Sequence, residues 1–163
     1  MKHKKEDLDN KLCGDSLSVA DQNPLSYAIF ALSRSHRALG GQMLREIGLF
    51  PGQEIILMQL WNQDNQSQKC LGRALRLDHS TIAKSVRRLE DAGLIVRNRS
   101  KEDGRVTIVS LTQAGRNLEI KVLDIWNKLE KITEEGLTEQ EKKLLLTLSQ
   151  KIASNIDTSL EQP

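Results

Sequence analysis

At 163 residues, with 24 Lys or Arg against 22 Asp or Glu and a net charge of +2, the chain has room for one packed domain or a small module carried on further helices. Aromatic residues make up only 3%, which leaves the core to Leu, Ile, Val and Ala and points to a mainly α fold class. No apolar run reaches the roughly eighteen residues of a membrane span and the basic N-terminus is not a secretory signal, so a cytoplasmic location without membrane contact is expected.

Residues 1–22 are polar, without a sustained apolar period, and read as a mobile tail. From Pro24 the apolar positions Leu25, Ala28, Ile29, Leu32, Leu39, Met43 and Ile47 fit one face of a helix. The pair Gly40-Gly41 inside it implies either a bend or a close helix contact, because each glycine costs about 1 kcal/mol relative to alanine. A second helix opens at Pro51 and carries the dense run from Ile55 to Trp61, with Phe50 where a hydroxyl cap would ordinarily stand. Ser67 caps a third helix that buries Cys70, Leu71, Ala74 and Leu75, and Asp78 caps a fourth with Ile82, Val86 and Leu89 inward and Gly93 as its stop. The period then becomes twofold over 94–98 and 105–111, with Asp103-Gly104 as the turn signal of a two-stranded wing. Thr112 caps a fifth helix that runs to Gly136. Thr138 and Glu141 have capping-box spacing for a sixth helix, whose stripe is Leu144, Leu145, Leu148, Ile152 and Ile156.

Charge is not spread evenly over these elements. Residues 67–106 hold ten Lys or Arg against five Asp or Glu, an excess of +5 that leaves −3 for the rest. A short helix, a tight turn, a helix with an apolar inner and a basic outer face and then a hairpin are the parts of a winged helix-turn-helix. On the fourth helix Ser80 and Thr81 offer hydroxyls suited to phosphates, and Lys84, Arg87 and Arg88 offer long cations for a major groove. The wing carries Arg97, Arg99, Lys101 and Arg105. Of these Arg105 is the first choice for minor-groove insertion, held extended by Asp103. Ser67, Lys69 and Arg73 are weaker candidates for phosphate contact.

The segment DHSTIAKSVRRLEDAGLIVR from Asp78, followed by DGRVTIVSLTQAG from Asp103, resembles the multiple antibiotic resistance regulator (MarR) family over about residues 24–156. The resemblance implies a homodimer with interlocked terminal helices and two winged lobes on a pseudo-palindromic duplex site, acting as a repressor that a small molecule or thiol oxidation can release. It implies a mobile tail at 1–22, a dimerisation helix at 24–49, a DNA-binding domain at 50–112, dimerisation helices at 113–157 and a tail at 158–163. By position it puts Ser80, Thr81, Ala83, Lys84 and Arg87 on the recognition helix, and Asp103 and Arg105 on the wing. Arg76 stands where the family's turn has glycine, so a left-handed arginine is expected there.

His36, on the stripe of the first helix, is a candidate effector contact against the plainer reading of core or dimer packing. Cys13, in LDNKLC, is a redox-sensing candidate by the same resemblance, though Gly14-Asp15-Ser16 departs from the pattern; Cys70 reads as helix packing. Trp61 and Trp126 fall on apolar stripes and read as anchors, not base-stacking platforms. The sequence lacks a phosphate loop, a nucleophile elbow, H-E-x-x-H and C-x-x-C, so neither catalysis, metal nor cofactor is expected. A winged helix used only for protein contacts is the competing reading, for which a basic outer face would be unnecessary.

Overall fold

Pro24 occupies the first turn of a 22-residue helix, where its fixed φ suits the helix and its missing N–H has no partner to lose. In the computed structural model, residues 18–160 are described, and Cys13 lies outside them. The chain divides after Gly52 into two compact units. The first holds α1 (Ser18–Gln22) and α2 (Pro24–Arg45). Thus part of the stretch read as a tail is helical. α2 runs unbroken through Gly40 and Gly41, both buried. A Cβ added to Gly41 would stand 2.7 Å from Pro51 Cγ, so within the chain a close contact at this glycine is made by the returning proline.

The second unit runs α3 (Gln53–Asn62), β1 (Gln66–Ser67), α4 (Gln68–Ala74), α5 (His79–Asp91), β2 (Ile95–Arg99), β3 (Thr107–Leu111), α6 (Gln113–Asn117), α7 (Glu119–Thr133) and α8 (Glu139–Leu160). α3 begins two residues later than expected, because Pro51 and Gly52 form a turn in which Gly52 takes φ 95. Its Ile56, Leu57 and Leu60 pack with Leu71, Ile82, Val86, Leu89, Ile95, Val109 and Val122 in a fully buried core. Each such side chain contributes on the order of 2 kcal/mol.

The sheet has three strands, in the order β1-β3-β2, where a two-stranded wing was expected. β1 is only two residues long and pairs Gln66 with Val109, which fixes the start of α4 to the base of the wing. The expected fifth helix is two. Gly115 in α6 lies so close to the preceding chain that a Cβ there would be 2.1 Å from the Leu94 carbonyl oxygen, and the helix turns at Leu118 before α7 begins. Trp61 Nε1 donates to the Gly115 carbonyl at 3.1 Å, confirming its reading as an anchor.

α4 buries only Leu71 and Gly72, a narrow edge seated against Ile82. Cys70 and Ala74, expected inside, are exposed, since seven residues give this helix one short line of contact. α8 continues to Leu160 and buries none of its own side chains. None of the described helices is long and apolar enough to cross a membrane.

Candidate nucleic-acid interface

Helix α5 is fixed at its start by a single carboxylate. Asp78 Oδ1 accepts from the Ser80 and Thr81 amides, both at 2.9 Å, and from the Ser80 hydroxyl at 2.6 Å, while Oδ2 accepts from the Thr81 hydroxyl at 2.6 Å. Those hydroxyl bonds, with the amides, hold the Asp78 carboxyl far below the usual carboxylate range. Two of the helix's orphan donors are thereby satisfied. The same geometry gives Ser80 and Thr81 a part in the helix start. Their hydroxyl hydrogens are committed to Asp78, so in this arrangement they build the helix start and are not open donors to phosphate.

With Ile82, Val86 and Leu89 turned inward, Lys84, Arg87 and Arg88 are exposed along the opposite side, with Ala83 half-buried beside them. Ser80, Lys84 and Arg87 stand at i, i+4 and i+7 on one line of that surface. Gly93, at φ 71, ends the helix with its amide on the Glu90 carbonyl at 2.8 Å.

The four wing cations are not equivalent. Arg97 Nε donates to Glu90 Oε2 at 2.8 Å, its Nη2 reaches the same oxygen, and its amide donates to Glu90 Oε1 at 3.2 Å. The guanidinium bond lowers the Glu90 carboxyl from its ordinary value and raises Arg97. Arg97 thus ties β2 to the end of α5. Arg99 Nη1 donates across the hairpin to the Arg105 carbonyl and the Thr107 hydroxyl, each at 3.3 Å.

Lys101 is exposed near the tip. There Ser100 Oγ accepts from the amides of Glu102 and Asp103, and Val106 N donates to the Asp103 carbonyl at 2.9 Å. Arg105 donates to Asp103 Oδ1 from its amide at 2.9 Å and from Nε at 3.3 Å, and its side chain is 92% exposed. The contact between the Arg105 guanidinium and the Asp103 carboxylate expected from the spacing is present.

Between α4, the first turn of α5 and the base of the wing lies a groove of about 480 Å³, whose walls include Ser67, Lys69, Arg73, His79 and Arg105. Ser67 Oγ accepts from the Cys70 amide at 3.1 Å, so it is the cap expected of it. His79, the first residue of α5, was not singled out by sequence reasoning; its place directly after the capping aspartate was the available signal. His36 is half-buried on α2.

A second carboxylate joins the wing to the rest of its unit. Asp64 Oδ1 accepts from the Leu111 amide at 3.0 Å and the Asn65 amide at 2.8 Å, and Oδ2 meets the Arg116 guanidinium. Burial pushes the Asp64 carboxyl up, but the amide bonds and Arg116 outweigh it and hold the group below its ordinary value.

A capped basic helix after a left-handed turn, joined at its other end to an antiparallel hairpin, defines the winged helix-turn-helix class of DNA-binding proteins. The family model for the transcriptional regulator SarA/Rot matches residues 38–122. An organic hydroperoxide resistance transcriptional regulator of Bacillus subtilis (strain 168) is 34% identical over 104 residues, covering 64% of this chain and 71% of that protein. A solved structure of a probable transcriptional regulator from Pseudomonas aeruginosa has a TM-score of 0.74 at 28% identity, over 80% of this chain and 98% of that one. The structure of MarR has a TM-score of 0.72 at 26% identity, over 86% and 95%. The chain belongs to the SarA/Rot family of MarR-type winged-helix transcriptional regulators. It is a DNA-binding regulator of transcription.

Proposed function

We propose that the chain acts as a homodimeric repressor on a pseudo-palindromic operator. The helix α5 would lie in the major groove through Lys84, Arg87 and Arg88, and Arg105 would enter the adjacent minor groove. The observation that carries this is the exposure of those three helix cations on one continuous face while Asp103 steadies Arg105 beyond it. Lys69, Arg73 and His79 line the groove behind this face and suit the sugar-phosphate backbone, with Arg99 and Lys101 reaching it from the wing. Ser80, Thr81 and Ala83 would shape the approach of the helix and not supply charge.

Dimerisation is supported by apolar surface that a single chain leaves in water. On α8, Leu144, Leu145, Leu148 and Ile156 are 41–57% exposed, and on α2, Leu25, Ile29 and Leu32 are 39–63% exposed. Residues 24–49 and 113–157 would then form the dimer frame, and 50–112 the DNA-binding domain. Release by a small ligand is part of this reading, with His36 as its candidate contact. A thermal-shift screen of phenolic acids that moved neither the native protein nor His36→Ala would remove it.

Footprinting on DNA flanking the protein's own gene tests the whole, repeated with Arg105→Ala. Loss of protection concentrated in minor-groove segments, with binding to duplex falling steeply as salt rises, is the expected result. A flat salt response would favour the winged helix as a protein-contact module.

A further inference from the structure

The turn between α4 and α5 contains one feature that DNA contact alone does not explain. Arg76 takes φ 51, a conformation that an L-residue with a long side chain adopts at a cost. Its Nη1 donates to Oδ2 of Asp157, 81 residues further on and in the last turn of α8. The turn itself is held by its backbone, with Leu77 N on the Gly72 carbonyl at 2.8 Å and Arg76 N on the Arg73 carbonyl at 3.2 Å. The side chain is therefore not needed to close it.

At its other end α8 is anchored by Lys142 Nζ on Glu134 Oε2 at 2.9 Å and by the Thr138–Glu141 box. Between these ends it buries nothing. Asp157 directly follows Ile156, the end of the apolar stripe. A tie at Asp157 therefore joins the helix that carries the stripe to the turn that aims the recognition helix.

We infer that Arg76 and Asp157 are a positioning pair. By holding the helix-turn-helix turn against the end of α8, they set the angle of α5 relative to a dimer partner, and with it the half-site separation the protein accepts. This rests on the homodimeric reading above. The Arg76 side chain is 73% exposed and that of Asp157 34%, so the pair is screened by salt and is suited to biasing an orientation and not to holding the fold together.

The test uses the full chain and a half-site recovered by the native protein from a random-sequence duplex pool. Affinity is measured on duplexes carrying one half-site, and on duplexes carrying two at separations stepped by one base pair. Asp157→Ala and the isosteric Asp157→Asn are expected to leave single-half-site affinity within about twofold. Both should flatten the spacing profile, lowering the preference for the best separation over its neighbours by about fivefold. The swap Arg76→Asp with Asp157→Arg should restore the preference, since aspartate tolerates the left-handed backbone.

A profile in Asp157→Asn as sharp as the native one overturns the inference, as does an equal loss at every separation including the single half-site. A native protein that sediments as a monomer, or binds all separations alike, overturns the dimeric reading first and the positioning pair with it.

Discussion

One carboxylate of Asp78 receives two amides and two hydroxyls, and a carboxylate so surrounded binds its proton far less readily when folded than when unfolded. The sign of the resulting pH dependence follows directly. A depressed folded pKa adds stability that is fully present above the unfolded value near pH 4 and is lost as pH falls through the folded one. Asp78→Asn keeps a capping side chain of nearly equal preference but removes the titration. We therefore expect its melting temperature to lie below that of the native protein at pH 7, and to fall less steeply between about pH 4 and pH 2 so that the two converge in acid. Coincident acid limbs would show that another group governs acid unfolding. Lysines and arginines obey a different division. Arg97, bound to Glu90 through three donors, belongs to the framework, whereas Arg105, with 92% of its side chain exposed, is available to a partner.

Helix starts in this chain are written locally, within three or four residues of each other. Ser67 with Cys70, Asp78 with Thr81, Thr112 with Gly115 and Thr138 with Glu141 all form the caps their spacing predicts, and Arg76 takes its left-handed turn. The lobe's inner face was equally legible, because Ile82, Val86 and Leu89 repeat with the helix period. What escaped depends on residues distant in sequence. β1 exists only because Gln66 meets Val109, and the break after α6 arises because Gly115 lies against Leu94. The Arg97 tie similarly needs Glu90 seven residues earlier to turn back across the end of α5, so spacing singled out Arg105 but did not separate Arg97 from Arg99 and Lys101. The Gly115 contact can be tested at the level of the element. In Gly115→Ala the new methyl meets a backbone oxygen at 2.1 Å, and backbone on both sides must move. A loss of at least about 2 kcal/mol is expected, read as a fall in melting temperature of about 10 °C. A shift under about 2 °C would mean that α6 can slide away from β2 at little cost.

Across the whole molecule, the positive charge of the winged lobe and the apolar stripes of the long helices answer two different needs. Cations bring the protein to a duplex by counterion release, which is strong but carries no sequence preference. Preference grows when two lobes are joined, because the second half-site is then read at an effective concentration far above that of the free protein. The stripes are what would join them. Leu148, at the centre of the α8 stripe and 46% exposed in the single chain, is the position to test. Replacing it with glutamate removes about 2 kcal/mol of burial from each side of a twofold interface, a loss of about 4 kcal/mol in all and about a thousandfold in dimer affinity. Because no side chain of α8 is buried within the chain, the winged lobe should keep its melting behaviour. Sedimentation of Leu148→Glu should then report a monomer at concentrations where the native protein is paired. Its affinity for a single half-site should be unchanged, with the advantage of a double site lost. A variant that remained dimeric and kept that advantage would show that the exposed leucines of α8 do not form the joint between lobes.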